Sequence, residues 1–470
     1  MPIEAPAPSS RAAELAAQAC WRLRPAHAGV DWFTRLVEAE FAPPAEQAAR
    51  ATQALQRIWR WAATAVPWYR ARLPSLGRDF TLDDLQRLPI LSRLDLRDHR
   101  EALRARALPR GEYLTGSTRT SGSTGQPVEV WHTANSLKLQ GLLGQRQLRW
   151  FRFDPRAVYA AIKLPGALPR AAGGQPIAVG ATLRLPAWPT LGEYFETGEY
   201  LGYASTAPID DQLAWLHAHA PRHLVARAAV LEHLALAAEE IGPPPSLDGV
   251  FAIADQVTPA LRRRLARVFG APPHQNYGLN EMGLVAVRCA AGGRYHVHIE
   301  HCWHEIVDAD GRACGPGEQG RLLLSCFSNP AMPLLRYDTG DRAQVADGPC
   351  PCGRSLPAFA ELVGRELHLA PLPPGTYPRK EALTTILEAL PAAMWRGLRQ
   401  YQIRHHRDES FTVLLAGHSP PVAEFERAVL AQWQTIGAGH ALRIEFHADI
   451  PPGPGGKFQV FVSEFVDDAC

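Results

Sequence analysis

Two stretches of this sequence carry chemistry in their residue types alone. The first is Thr120-Ser121-Gly122-Ser123-Thr124-Gly125. Its glycines let backbone N–H groups turn inward, and its hydroxyls add donors. Together they can form a nest for phosphate oxygens. The G-x-x-x-x-G-K-[ST] pattern of a Walker A loop is absent. Taken alone, a Ser/Thr/Gly run more often marks a flexible loop. The second stretch is a cluster of cysteines. Six of the eight lie between positions 289 and 352. Cys289-x₆-His296 followed by Cys350-x-Cys352 offers three thiolates and one imidazole, a set that zinc takes tetrahedrally in closed, structural sites. His298, Cys302 and Cys314 compete as ligands, and reduced core cysteines would account for the same spacing.

Elements that position these residues can be read from periodicity. Residues 11–70 read as helices; Ala45–Ala65 spaces its apolar positions by three and four, and Val66-Pro67 stops it. Short helices surround Pro89. Val128–Trp131 after the hydroxyl loop reads as a strand. From about 135 to 270, buried strands such as Val158–Lys163 and Val250–Ile253 alternate with amphipathic helices at Ile209–Ala218, Ala229–Ile241 and Pro259–Phe269, which predicts a layered α/β domain. Short strands at His304–Val307, Arg321–Cys326 and Arg342–Val345, joined by Asp-Gly and Gly-Pro turns, predict a β-rich subdomain over about 295–360. Pro-rich residues 370–377 precede Glu381–Leu390, Leu398–His405, Phe411–Leu415, Val422–Ile436 and Leu442–Phe446, a small α+β domain. The fold class is therefore α/β. A large N-terminal domain, 1–365, is followed by a smaller C-terminal one, 366–470.

Composition bounds the function. The chain has 470 residues, 46% of them apolar and 20% charged, and a net charge of +2. That balance gives no electrostatic case for nucleic acid or a membrane surface. No apolar run approaches the roughly 18–20 residues of a membrane span. The N-terminus lacks the basic and apolar regions of a signal peptide, so the cytoplasm is the expected compartment. Of 49 basic side chains only Lys138, Lys163, Lys380 and Lys457 are lysines. A GC-rich genome accounts for the bias, but a lysine retained against it stands out.

The hydroxyl loop resembles the phosphate loop of the adenylate-forming superfamily, which includes acyl- and aryl-CoA synthetases. Further matches follow in that family's order. Tyr277-Gly278-Leu279-Asn280-Glu281 resembles its Tyr-Gly-x-Thr-Glu motif, and Arg336-Tyr337-Asp338-Thr339-Gly340-Asp341 its Tyr-Arg-Thr-Gly-Asp motif. Gly455-Gly456-Lys457-Phe458 resembles the terminal Gly-Lys motif. Cys350–Arg354, Gly364-Arg365, Val66–Arg70 and Leu88–Leu91 are similar to segments of the phenylacetate-CoA ligase branch, so the resemblance spans about residues 50 to 465. Departures are Gln126 where lysine is usual, Asn280 in place of Thr or Ser, and a degraded segment between Glu366 and Tyr377.

The resemblance implies a ligase that activates a carboxylic acid with ATP and Mg²⁺ and passes the acyl group to CoA. A carrier-protein thiol or an amine is the alternative acceptor, and a catalytically decayed nucleotide-binding protein is the second alternative. Thr120, Ser121, Gly122, Ser123, Thr124 and Gly125 would hold the terminal phosphates. Glu281 would hold Mg²⁺, Asp341 the ribose hydroxyls, and Tyr277 would line the nucleotide or acyl site. Lys457, on a mobile C-terminal domain, would bridge carboxylate and α-phosphate. Members of the branch carry a metal knot at the position of Cys289, His296, Cys350 and Cys352, which points the tetrad toward structural zinc. Trp188, Tyr194, Phe195, Tyr200 and Tyr203 tilt the acid toward an aromatic one, although core packing explains each of them too. The assembly is open, a homodimer included.

Overall fold

A computed structural model describes residues 10–27, 32–72, 80–119, 128–170, 174–244, 247–253, 259–365, 398–417, 419–436, 439–451 and 461–465, with isolated positions 257, 376, 379, 382, 383, 386, 387, 390 and 394. The phosphate-loop residues Thr120–Gly125 and Lys457 lie outside them.

Strands follow the order β1 (Leu114–Arg119), β2 (Glu129–Thr133), β3 (Tyr159–Lys163), β4 (Thr182–Leu185), β5 (Tyr200–Ala204), β6 (His223–Arg227), β7 (Gly249–Ile253) and β8 (Pro273–Leu279). They continue with β9 (Gly283–Arg288), β10 (Tyr295–Val297), β11 (Cys302–Val307), β12 (Gln319–Cys326), β13 (Tyr337–Val345) and β14 (Ala358–Arg365). β1 and β2 form a hairpin flanking positions 120–127. Strands β3 to β14 form one hydrogen-bonded sheet of 12 strands in the order β11-β12-β13-β14-β10-β9-β8-β7-β6-β3-β5-β4.

The sheet changes character at β8. β5, β3, β6, β7 and β8 are mutually parallel neighbours. Their crossover helices, Ile209–His219, Ala228–Ile241 and Pro259–Phe269, cover them. Burial on both faces explains the unbroken apolar runs of β5 and β6. From β8 onward every pairing is antiparallel. The β-rich segment expected at 295–360 is present as β10–β14, and hydrogen bonds continue it into the main sheet. β13 begins at Tyr337, five residues before the expected Arg342, so the whole Tyr337–Asp341 motif lies on a strand.

Helix Pro44–Ala65 ends at Val66 as the following Pro67 requires. Helix Ala134–Trp150, which the periodicity did not mark, starts with a reciprocal cap between Thr133 and Ser136 and buries an arginine-bearing face. Beyond residue 397 a second sheet has the order β17 (Leu442–His447), β16 (Phe411–Gly417), β15 (Leu398–His405), β18 (Phe461–Ser463). Helix Ala423–Ile436 packs on it through Phe425, Val429 and Trp433 in a core of its own, with Leu236 of the large sheet's helices against it.

Candidate functional site

β8 is parallel to one neighbour and antiparallel to the other, and its C-terminal end carries Tyr277. Ligands of open α/β sheets gather at the carboxyl ends of strands where the order changes. The β8–β9 turn, Asn280 to Met282, puts Glu281 inside the protein, 5% exposed. Gly283 closes that turn at φ +78, where an added Cβ would strike Gln140. Gln140 accepts the Leu284 amide at 2.7 Å, tying the turn to helix Ala134–Trp150.

The two motifs are joined crosswise. Tyr277 donates to Asp341 at 2.7 Å, and Tyr337 donates to Glu281 at 3.1 Å. Each tyrosine thus fixes the other motif's acid. Burial, and then the Glu281 charge, push the Tyr337 phenol well above its ordinary pKa, so it remains a donor. Glu281 also accepts Arg93 Nη1 at 2.5 Å. Arg93 opens helix Arg93–Asp98, whose Ser92–Asp95 capping box sets its direction. The preceding residue, Leu91, pairs with both sides of Tyr337 through Leu91 N–Arg336 O and Asp338 N–Leu91 O bonds. Arg336, at φ +51, spends its guanidinium on Glu305 and on the carbonyls of Gln86, Leu88 and Gly311. That arginine holds segment 86–91 against β13 and is structural.

Cys289, His296, Cys350 and Cys352 converge, their ligand atoms all within 4.8 Å of one another. Cys289 follows β9 and His296 lies on β10, so one hairpin supplies both. Cys350 and Cys352 sit in the turn before β14, which pairs with β10. Gly292 lets the two turns touch, since a Cβ there would meet the Cys350 sulfur at 2.4 Å. His296 donates Nδ1–H to the Leu356 carbonyl at 3.1 Å, which fixes its tautomer and turns Nε2 into the cluster, 3.2 Å from Cys352 Sγ. Its pKa rises to about 9: burial opposes its charge, but the Cys289 and Cys352 sulfurs outweigh that. A thiol-rich, buried tetrad of this kind suits a borderline-soft dication. Of the competing ligands, His298 accepts Arg146 on Nδ1 at 3.1 Å, Cys302 packs in the large core, and Cys314 lies beside Gly320.

Next to the tetrad lies a buried ion network. Arg354, two residues past Cys352, binds Glu14 at 2.5 Å and Glu40 at 3.1 Å. Arg149 binds both acids too, and Arg146 binds Glu300 at 2.7 Å. Trp150 donates to Glu40 at 2.9 Å, and the Arg354 guanidinium lies 4.2 Å over its ring.

No protein-family model matches the chain. It is 28% identical over 343 residues to the phenylacetate-coenzyme A ligase of Thermus thermophilus, covering 70% of this chain and 72% of the relative. It is also 28% identical over 355 residues to that of Escherichia coli, covering 71% and 74%. In fold it is similar to a 2-hydroxyisobutyryl-CoA ligase in the post-adenylation state, with a TM-score of 0.68, 17% identity and 91% of each chain covered. An anthranilate CoA ligase in complex with anthranoyl-AMP follows at a TM-score of 0.52 and 15% identity, covering 73% of this chain and 65% of that one. The chain is thus similar in sequence to phenylacetate-coenzyme A ligases over about seven tenths of its length, and it shares a fold with solved CoA ligases.

The aromatic residues expected to tilt the acid toward an aromatic one are core residues. Trp188, Phe195, Tyr200 and Tyr203 are at most 4% exposed and pack in the cores of the parallel half. Tyr194 sits partly buried against the same cores. Burial of β5 on both faces and ring packing with Trp21 and Tyr159 account for them. A recess of about 260 Å³ lined by Trp68, Arg72, Ile90, Asp95 and His99 includes none of Tyr277, Glu281, Tyr337 and Asp341, although the similar segments Val66–Arg70 and Leu88–Leu91 contribute to its wall. The sequence reading did not single out Arg93. The S-x-x-D cap before it marks a helix start, but only folding shows that this start faces Glu281.

Proposed function

We propose that the chain couples ATP to a carboxylic acid, forming an acyl adenylate and pyrophosphate, and then transfers the acyl group to CoA. The crosswise pairing of Tyr277 with Asp341 and Tyr337 with Glu281 carries this reading, because it brings both motif acids to one sheet. Similarity to phenylacetate-CoA ligases supports it.

In this reading a carboxylate oxygen attacks the α-phosphorus and the bond to pyrophosphate breaks. Two anions must meet, so the chain's part is positioning and charge neutralisation. Asp341, held by Tyr277, accepts the ribose hydroxyls. Thr120, Ser121, Ser123 and Thr124, with the amides of Gly122 and Gly125, hold the terminal phosphates. Glu281 is oriented by Tyr337 and Arg93, and its buried carboxylate suits Mg²⁺, a hard ion that takes one or two carboxylates along with substrate phosphates. Mg²⁺ supplies neutralisation of phosphate charge. Lys457 adds its ammonium between carboxylate and α-phosphate. Residues 366–470 form the mobile domain that brings it in and withdraws it. In the second half-reaction the CoA thiolate attacks the acyl carbon and AMP leaves.

Cys289, His296, Cys350 and Cys352 are read as a structural zinc site, remote in role from the chemistry. Supply of ATP and CoA places the chain in the cytoplasm. No helix of the described residues is long and apolar enough to cross a membrane. The alternative acceptor, a carrier-protein thiol or an amine, rests on the degraded segment between Glu366 and Tyr377. Acid-dependent ATP–pyrophosphate exchange tests the first step, and AMP release on adding CoA tests the second. Exchange with no acid would overturn the reading. Adenylate left untouched by CoA, but consumed by a carrier protein or an amine, would replace the acceptor.

A further inference from the structure

Beside Glu281 lies a small, partly open recess of about 10 Å³, room for about one water-sized group. Its lining is polar: His132, Ser136, Gln140, His301, Ser328 and Asn329, with Met282 and Cys326 completing the wall. Most of those polar groups are already engaged. Ser136 belongs to the helix cap, Gln140 accepts the Leu284 amide, and Asn329 donates to the Trp131 carbonyl at 2.8 Å. His301 is bonded through Nδ1 to Ser328 Oγ at 2.7 Å, with Gln140 Nε2 3.3 Å from its ring nitrogens.

His132 differs. It is 8% exposed, and its Nε2 has no hydrogen-bond partner among the described residues. A buried polar atom left unpaired costs about 1–3 kcal/mol, so such an atom in a cavity wall marks a place for a ligand's polar group. Burial lowers the pKa of both histidines, that of His301 to about 4, so both rings are neutral at pH 7. A neutral imidazole pairs with a hydroxyl or amino group, and it offers no charge to a carboxylate.

We infer that the acid adenylated here carries a hydroxyl or amino group on the carbon next to the one bearing the carboxyl, seated against His132 in the polar space beside Glu281. The inference rests on the adenylation reading above and names the substrate class for that site. The position of the substituent follows from the geometry. Glu281 stands at the reacting phosphates in that reading, so a group reaching the adjoining space must sit close to the carboxylate. The small volume admits one such group and no second ring.

The test is pyrophosphate exchange by the full chain with matched acids: benzoate, 2-methylbenzoate, 2-hydroxybenzoate and 2-aminobenzoate. The 2-hydroxy or 2-amino acid is expected to exceed 2-methylbenzoate in kcat/KM by about 10- to 100-fold, the scale of one buried hydrogen bond left unmade. In His132→Phe that preference should collapse through KM, so that the 2-hydroxy or 2-amino acid no longer exceeds 2-methylbenzoate. His132→Asn, which keeps a polar atom, should retain part of it. Equal or better exchange with 2-methylbenzoate in the unaltered chain would overturn the inference and leave adenylation standing. A preference that survives His132→Phe would also overturn it. Exchange with no acid at all would overturn the adenylation reading, and this inference with it.

Discussion

The two halves of the antiparallel sheet hold their polar residues in opposite ways. Around Cys352 every group is enclosed by the chain itself. Four ligand atoms face one another, and Arg354, Arg149 and Arg146 are matched by Glu14, Glu40 and Glu300. Around Glu281 and Asp341, each acid is held on one side by the other motif's tyrosine, and the residues read as completing the centre lie on other segments, at 120–125 and 457. A closed set of partners suits a part whose work is stability. A half-held set suits a part that must receive a polyanion and release it. The comparison predicts that substitutions near the tetrad change stability and leave turnover alone, and that substitutions near the acids do the reverse.

The largest effect is expected from Arg354→Ala. Removing one partner of a buried network leaves Glu14 and Glu40 short of charge, at a cost of about 3–5 kcal/mol. Thermal unfolding should show it, while folded protein keeps its kcat. An unchanged melting temperature would break the comparison at its firmest point. Next is Lys457→Ala, expected to slow adenylation by about 100-fold or more without altering unfolding, the scale of one lost charge-stabilising donor. Near-normal pyrophosphate exchange in that variant would remove Lys457 from the chemistry. Third is the tetrad. Elemental analysis should find about one zinc per chain, and Cys352→Ser should lose it and melt about 5 °C lower. Chelator-free protein without metal would convert the tetrad into packed thiols. The smallest effect is Tyr337→Phe, which removes one hydrogen bond to Glu281 worth about 1 kcal/mol. It should raise the Mg²⁺ concentration needed for half-maximal exchange by about fivefold, with little change in KM for the acid. An effect on stability alone would show that the crosswise bond serves the fold.

Much of this was legible from local pattern. The apolar spacing of Pro44–Ala65, the unbroken strand β7 and the Pro259–Phe269 helix follow from period and punctuation within short windows. The tetrad was legible because closed zinc sites draw mainly on Cys and His, and six of the eight cysteines cluster between 289 and 352. The acids and Tyr277 were found by resemblance; the crosswise bonds between the two motifs were not, because a bond from residue 277 to 341 leaves no local trace. Arg93 and His132 were invisible for the same reason. Helix Ala134–Trp150 was missed because it buries Gln145, Arg146, Gln147 and Arg149, residues that a hydropathy pattern assigns to solvent. Conversely, aromatic density between 188 and 203 suggested a pocket and proved to be core, since a ring that packs and a ring that binds look alike in sequence.

The Arg354 network also fixes an order of events in the life of the chain. Glu14 and Arg354 are 340 residues apart, and Glu40 and Arg354 are 314. During synthesis the two N-terminal helices, Arg11–Ala19 with Glu14 and Trp32–Glu40 with Glu40, therefore emerge long before the cation that completes their burial. Domains assemble from the N-terminus as they leave the ribosome, yet here the first helices, which can meet Arg149 early, complete their docking only when Arg354 arrives. Loop closure across that distance must come before the contact can reward it, which makes this docking a slow, late step. A chain released before residue 354 would hold Glu14 and Glu40 against Arg149, with one cation of the network missing.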